Sequence, residues 1–291
     1  MPYIGIQAQI KKNNFYSGLM LILFPILLMI VGAFITQSGE GMFLFLLLSL
    51  IWFVIAFFTN NQLINISTGA KPLSRKENPR VYNLLENLCI SQGITMPKLQ
   101  IIHDPSLNAY ASGIRSSDYT ITVSEGLINK LNDEELEGVL AHELCHIIHR
   151  DVRLLIVSVI FVGIFAFIAE MAMRMMRFGR GDKKNNQLLL IAIAVSALAY
   201  FISILLRFGI SRKREYMADA GAAEITKRPE ALASALRKVS EDPLIEAVES
   251  RDVAQLFIHN PKPSLLEHSW DNIFSTHPPI EKRIQLLEQF L

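Results

Sequence analysis

The stretch Ala141-His142-Glu143-Leu144-Cys145-His146 places two histidines four residues apart, with a glutamate directly after the first. Helix positions i and i+4 lie on one face about 6 Å apart, so the two imidazoles can converge on one zinc ion. The glutamate projects beside that site, where it can take a proton from a water that the metal activates. With 7 histidines in 291 residues, H-E-x-x-H arises by chance about 0.01 times. Coincidence is therefore a poor explanation, and a pair of packed or solvated histidines is the plain alternative. The pattern requires a helix. Asp133, Glu134 and Glu135 follow Asn132, acids in a first turn where the helix dipole favours them. The spacing predicts a helix from there that continues into the apolar residues after 153.

A catalytic zinc site needs a third protein ligand. His149 returns to the face of His142 but stands about 10 Å from it along the axis of a straight helix, too far for one ion. No glycine follows His146 to end the helix early, so His149 reads as lying behind the ligands or at an interface. Cys145 lies off the ligand face and reads as a packed thiol. Downstream, Ser211-Arg212-Lys213-Arg214-Glu215-Tyr216-Met217-Ala218-Asp219 carries a carboxylate pair at i and i+4. Glu215 could complete a His₂Glu site, with Asp219 accepting the free ring N–H of a zinc histidine. The adjacent Arg212, Lys213 and Arg214 suit a solvated acid–base face equally well. A further element, Phe274-Ser275-Thr276-His277-Pro278-Pro279-Ile280-Glu281-Lys282-Arg283, presents a histidine rigidly before two prolines. His277 or Arg283 could donate to the oxyanion of a tetrahedral intermediate; a proline-started helix with surface His and Arg is the alternative.

Outward from these motifs, residues 59–153 read as a water-soluble segment. Asn78 can cap a helix that has Pro79 in its first turn and Val81, Leu84, Leu85 and Leu88 as its buried stripe. Short strands are expected over 98–103, 107–114 and 119–123, the last alternating Tyr119, Ile121 and Val123 against Thr120 and Thr122. Helices are expected over 215–226, 230–240 and 279–291, the last with Ile280, Ile284, Leu287 and Phe290 along one face.

Four apolar runs, 15–36, 42–58, 154–173 and 188–206, contain a single charged residue, Glu170, of the chain's 28 basic and 27 acidic ones. Each is long enough for a hydrocarbon core about 30 Å thick, which needs roughly 17–25 residues of helix. This excludes a simple soluble globule, a disordered chain and a channel with little outside the bilayer. The net charge of +1 gives no argument for a nucleic-acid partner. Cys89 and Cys145 are too few for a disulfide framework. The first run is longer than a signal-peptide core and the second follows almost at once, so 1–58 reads as an uncleaved membrane hairpin. With the N-terminus inside, Lys11, Lys12, Lys71, Arg75, Lys76, Arg150, Arg153, Arg207, Arg212, Lys213 and Arg214 fall on the cytoplasmic side. Only Arg174, Arg177, Arg180, Lys183 and Lys184 fall opposite. Two runs separate His142 and His146 from Glu215, an even number of crossings, so all three share one side of the membrane.

Together these motifs resemble the HtpX family of membrane-bound zinc metalloproteases, relatives of the CaaX prenyl proteases. The likeness rests on the N-terminal hairpin, Asn108-Ala109-Tyr110-Ala111, Ala141–His146 with Asp151, the second apolar pair, Arg214–Asp219, and Ser275-Thr276-His277-Pro278-Pro279. It implies one zinc ion on His142, His146 and Glu215, with Glu143 as general base. It also implies Asp219 and Asp151 behind the ligands, His277 and Arg283 near the oxyanion, and quality control of membrane proteins from the cytoplasmic face. Cys145 stands where the family usually has glycine, and His149 where a small polar residue is common.

The expected fold is α+β: a mainly helical, zincin-type catalytic domain with a small β-sheet, joined to four apolar membrane helices. Its expected parts are a membrane hairpin (1–58), a catalytic domain (59–153 with 207–291) and a second hairpin (154–206) inserted into it. The expected activity is a multi-pass, inner-membrane zinc endopeptidase acting on membrane or unfolded proteins. The substrate would pair with an edge strand at Asn108, Ala109, Tyr110 and Ala111. The rivals are a CaaX-type prenyl-peptide protease and a non-catalytic membrane scaffold with a structural zinc.

Overall fold

Asn132 begins the helix that carries both histidines. Its side chain accepts from the Glu135 backbone N–H, and the Glu135 carboxylate accepts from the Asn132 N–H, a reciprocal capping box. The computed structural model of the chain describes residues 39–154, 214–240 and 278–289, with scattered positions between 11 and 33 and at 156, 193 and 197. His277 and the apolar runs 154–173 and 188–206 lie outside the described residues, apart from those few positions.

The chain divides into two compact units, Met1–Thr59 with Leu154–Arg207, and Asn60–Arg153 with Phe208–Leu291. In the first unit, helix α1 (Gly39–Thr68) carries the 42–58 run. Phe43, Leu44, Leu47, Leu48, Leu50, Ile51, Val54, Ile55 and Phe58 along it are exposed. Among the described residues no helix is long and apolar enough to cross a membrane.

The second unit also holds the last turns of α1. Its elements are β1 (Lys71–Pro72), α2 (Pro79–Gln92), β2 (Lys98–Ile102), β3 (Ala109–Ser112), β4 (Thr120–Ser124), α3 (Glu125–Lys130) and α4 (Asp133–Ile148), followed by α5 (214–226), α6 (Pro229–Val239) and α7 (Ile280–Glu288). Asn78 caps α2 by accepting from Val81 N–H, and Gly93 ends it in the left-handed conformation. The buried stripe of α2 is Val81, Leu85, Leu88 and Cys89, while Leu84 is only half-buried. The sheet order is β1-β2-β4-β3, with β2 and β4 parallel and the other pairs antiparallel. The parallel pair needs a crossover, which β3 and its loops supply. All five residues of β4 are buried, so the Thr120–Thr122 side of the alternation faces protein rather than water.

Helix α4 packs against β3, α2 and α6. At the α6 crossing, a Cβ added to Gly138 would stand 3.2 Å from Leu232 Cα, closer than real contacts allow without movement. Buried Glu135 bridges to α6 by accepting from Ser234 Oγ at 2.7 Å and from Lys238 Nζ at 2.7 Å. Helix α5 crosses α4 at Cys145: a Cβ on Gly221 would meet its Sγ at 2.7 Å. Cys145 is therefore a packed thiol, and burial pushes its pKa well up. Contrary to the sequence expectation, α4 does not run on into the third apolar run. It stops at Ile148, and Arg150 takes a left-handed φ of 60° without a glycine to ease it, at a cost of about 1–2 kcal/mol.

Candidate metal centre

The capping box fixes where α4 starts, and so which face its residues present. His142 and His146 come one turn apart, with ring centroids 4.8 Å apart and the rings perpendicular. Their Nε2 atoms face each other at 3.2 Å. Glu215, in the first turn of α5, closes the triangle: Oε1 is 3.4 Å from His146 Nε2 and Oε2 is 3.6 Å from His142 Nε2.

Behind each ring stands a carboxylate. His142 Nδ1 is 3.0 Å from Asp219 Oδ1, and His146 Nδ1 is 3.2 Å from Asp151 Oδ2. Asp219 lies one turn beyond Glu215, so a single helical face delivers both acids. Asp151 arrives differently. On an unbroken helix, position i+5 would sit about 140° away from His146; the left-handed Arg150 turns the chain back and brings the carboxylate to the ring. His149, at the end of α4, lies 3.9 Å from the same carboxylate and is buried, which pulls its pKa below the usual histidine value.

Arg283, from α7, is the largest fully buried side chain described. Its Nε and Nη2 donate to the two Asp219 oxygens at 2.8 and 2.7 Å, and Nη1 is 3.4 Å from Glu215 Oε2. Nη2 also comes within 3.4 Å of His142 Nε2. The guanidinium is thus turned toward the ligands and their backing carboxylate. Arg214, which reads from sequence as one of three solvated bases, is also buried. It donates to the Asp151 carbonyl at 3.2 Å, and nothing in the sequence separates it from Arg212 and Lys213.

The charges follow from this geometry. Burial alone would push the His142 imidazolium down, but the bonds to Asp219 and Glu215 overcome it and hold its pKa up to about 9. Burial raises Glu143, assisted by the Glu215 charge and opposed by the two histidines and Arg283. Burial would likewise raise Asp219, but Arg283 and His142 bring it below the ordinary carboxylate value.

The donor set fits a zinc ion. With a carboxylate near each Nδ1, a metal on the Nε2 side would leave the ring protons at Nδ1, so that two Nε2 lone pairs and a carboxylate oxygen point into one space. A bound cation would relieve that convergence, taking the place of the proton that His142 holds in the metal-free chain. Two nitrogens about 2.05 Å from one tetrahedral ion stand about 3.3 Å apart, which the 3.2 Å separation matches. Among the described residues, His142, His146 and Glu215 are the group able to hold a metal, their ligand atoms all within 4.8 Å of one another.

The other expected site residues fall as follows. Glu143 is buried beside the histidines. Ala109, Tyr110 and Ala111 lie in β3, an outer strand of the sheet, with Asn108 immediately before it, and all four are buried.

Comparison with known proteins gives the family. Residues 75–291 match the model of peptidase family M48. A "Protease HtpX homolog" of Bacteroides fragilis (strain YCH46) is 53% identical, with the whole of both chains covered. Another, of Dictyoglomus turgidum, is 40% identical over 82% of this chain and 80% of its own. Among solved structures, S. mikatae Ste24p shares the fold, with a TM-score of 0.54 and 18% identity over 96% of this chain and 66% of that one. The chain, with its histidine pair and facing glutamate, therefore belongs to peptidase family M48, among the HtpX proteases, and is a metallopeptidase.

Proposed function

We propose that the chain is a membrane-anchored zinc endopeptidase that cleaves membrane or misfolded proteins from the cytoplasmic side. The observation that carries this reading is the convergence of His142 Nε2, His146 Nε2 and the Glu215 carboxylate, each histidine backed by its own carboxylate. A zinc ion held by these three residues would polarise the scissile carbonyl and make water nucleophilic near neutral pH. Three protein ligands leave a coordination position open, which suits catalysis, whereas structural sites take four.

Glu143 is the general base. Buried and raised in pKa, it takes a proton from the attacking water and returns it to the leaving amine. Asp219 and Asp151 keep the histidine protons on Nδ1 and the rings in place. Arg283 positions Asp219 and Glu215, and His277 donates to the oxyanion. The substrate adds as a strand to the outer edge of β3 over Asn108–Ala111, supplying sequence-tolerant main-chain bonds. The exposed apolar side chains of α1 support the anchoring, because a row of such residues is costly in water and suits lipid.

The test is cleavage of casein by purified protein, wild type against Glu143→Gln. The variant should keep its zinc and lose activity by at least about a thousandfold; an undiminished rate sinks the mechanism.

A further inference from the structure

Strand β3 reads Ala-Tyr-Ala-Ser, so three of its four side chains are small. Its register pairs Ala109 with Val123 and Ala111 with Ile121, on the apolar face of the sheet. Two methyl groups grip that face weakly, and a strand with one neighbour and little side-chain bulk is poorly held in register. The exception is Tyr110. It points to the opposite face, is 1% exposed, and is among the largest fully buried side chains.

That face is polar, yet buried. Tyr110 pairs with Thr122 across the strands and Thr122 with Gln100, and Thr122 Oγ1 donates to Gln100 Oε1 at 3.3 Å. Thr122 also lies within hydrogen-bonding reach of the Tyr110 hydroxyl. At the outer end of this ladder, Tyr110 Oη is 3.0 Å from Thr68 Oγ1, in the last turn of α1. Thr68 Oγ1 also reaches the Ile64 carbonyl at 2.9 Å, and either hydroxyl can donate in the bond between Tyr110 and Thr68. Both residues are buried, where a lost partner is most costly.

We propose that Tyr110 is a positioning residue, its bond to Thr68 fastening the outer strand to the end of α1 and holding it in the register that receives substrate. This rests on the reading of β3 as the substrate strand. The ladder holds the strand from its Tyr110 face, and the proposed pairing with substrate would use the strand's other edge, whose residues are all buried as the chain stands.

The test uses the full-length, zinc-loaded protein and the hydroxyl deletions Tyr110→Phe and Thr68→Val. Amide exchange over residues 109–112 should quicken about tenfold in either variant, with α4 unchanged. KM for an unstructured peptide should rise about fivefold, with kcat within twofold and zinc content intact. The losses in the double variant should fall short of additive, because both single variants remove the Tyr110–Thr68 bond, although Tyr110→Phe also loses Thr122 and Thr68→Val the Ile64 carbonyl. Unchanged exchange, or additive losses, overturns the proposal. A peptide N-methylated along its backbone separates the two readings: if N-methylation leaves KM unaffected, β3 is not the substrate strand. If it raises KM while Tyr110→Phe does not, the strand stands and the positioning role falls.

Discussion

The two histidines of α4 carry the same chemistry but are held by different means. His142 is 1% exposed at its side chain, and its backing carboxylate, Asp219, is gripped by both arms of Arg283. His146 is 13% exposed, and its carboxylate, Asp151, meets Arg214 loosely, at 4.0 Å to the nearer oxygen. The His142 side is assembled from three distant helices, α4, α5 and α7. The carboxylate of the His146 side comes from the end of the same helix, through the break at Arg150. The lesson is that the more buried histidine is held by a paired carboxylate and guanidinium, while the more accessible one is held more lightly.

The comparison breaks most readily at the arginines. Arg283→Met takes the guanidinium from buried Asp219, leaving it only His142 of these two partners, and should cost about 3–5 kcal/mol in urea unfolding of the metal-free protein. Arg214→Met should cost less than half as much, and equal losses would contradict the asymmetry. Zinc affinity, measured by chelator competition, should fall about 10–100-fold for either carboxylate variant, with Asp219→Asn at the upper end and Asp151→Asn at the lower. A further effect is on pH. Because the His142 pKa is raised to about 9 in the folded chain, its protonated form stabilises the metal-free protein fully below its unfolded value of about 6.5. That contribution disappears as pH rises from there toward 9. Over the same interval zinc should bind progressively tighter as the competing proton leaves. A metal-free melting temperature that stays flat from pH 6.5 to 9 would contradict this.

Much of the site can be read from the sequence because helical periodicity is local. The capped start at Asn132, the i, i+4 histidines, and Glu215 with Asp219 on one face follow from the 3.6-residue turn alone. What escapes depends on packing between distant segments. Arg283 lies on the buried face of α7, where periodicity favours Ile284, because a buried carboxylate on another helix makes the charge tolerable. Arg214 is indistinguishable from its basic neighbours for the same reason. The break at Arg150 has no glycine to announce it, so Asp151 lies off the ligand face of any continued helix. The alternation in β4 signals water on one side, but the Thr122 side is covered, with Tyr110, Gln100 and Thr68 satisfying the polar groups. Strand β1 and helix α3 are too short for periodicity to register.

The central claim, that His142, His146 and Glu215 form one three-ligand metal site, is tested most directly by zinc stoichiometry. Purified wild-type protein should carry one zinc per chain and Glu215→Ala far less after dialysis against a weak chelator, while both unfold cooperatively. Full metal retention by Glu215→Ala would contradict the assignment and place the third ligand elsewhere.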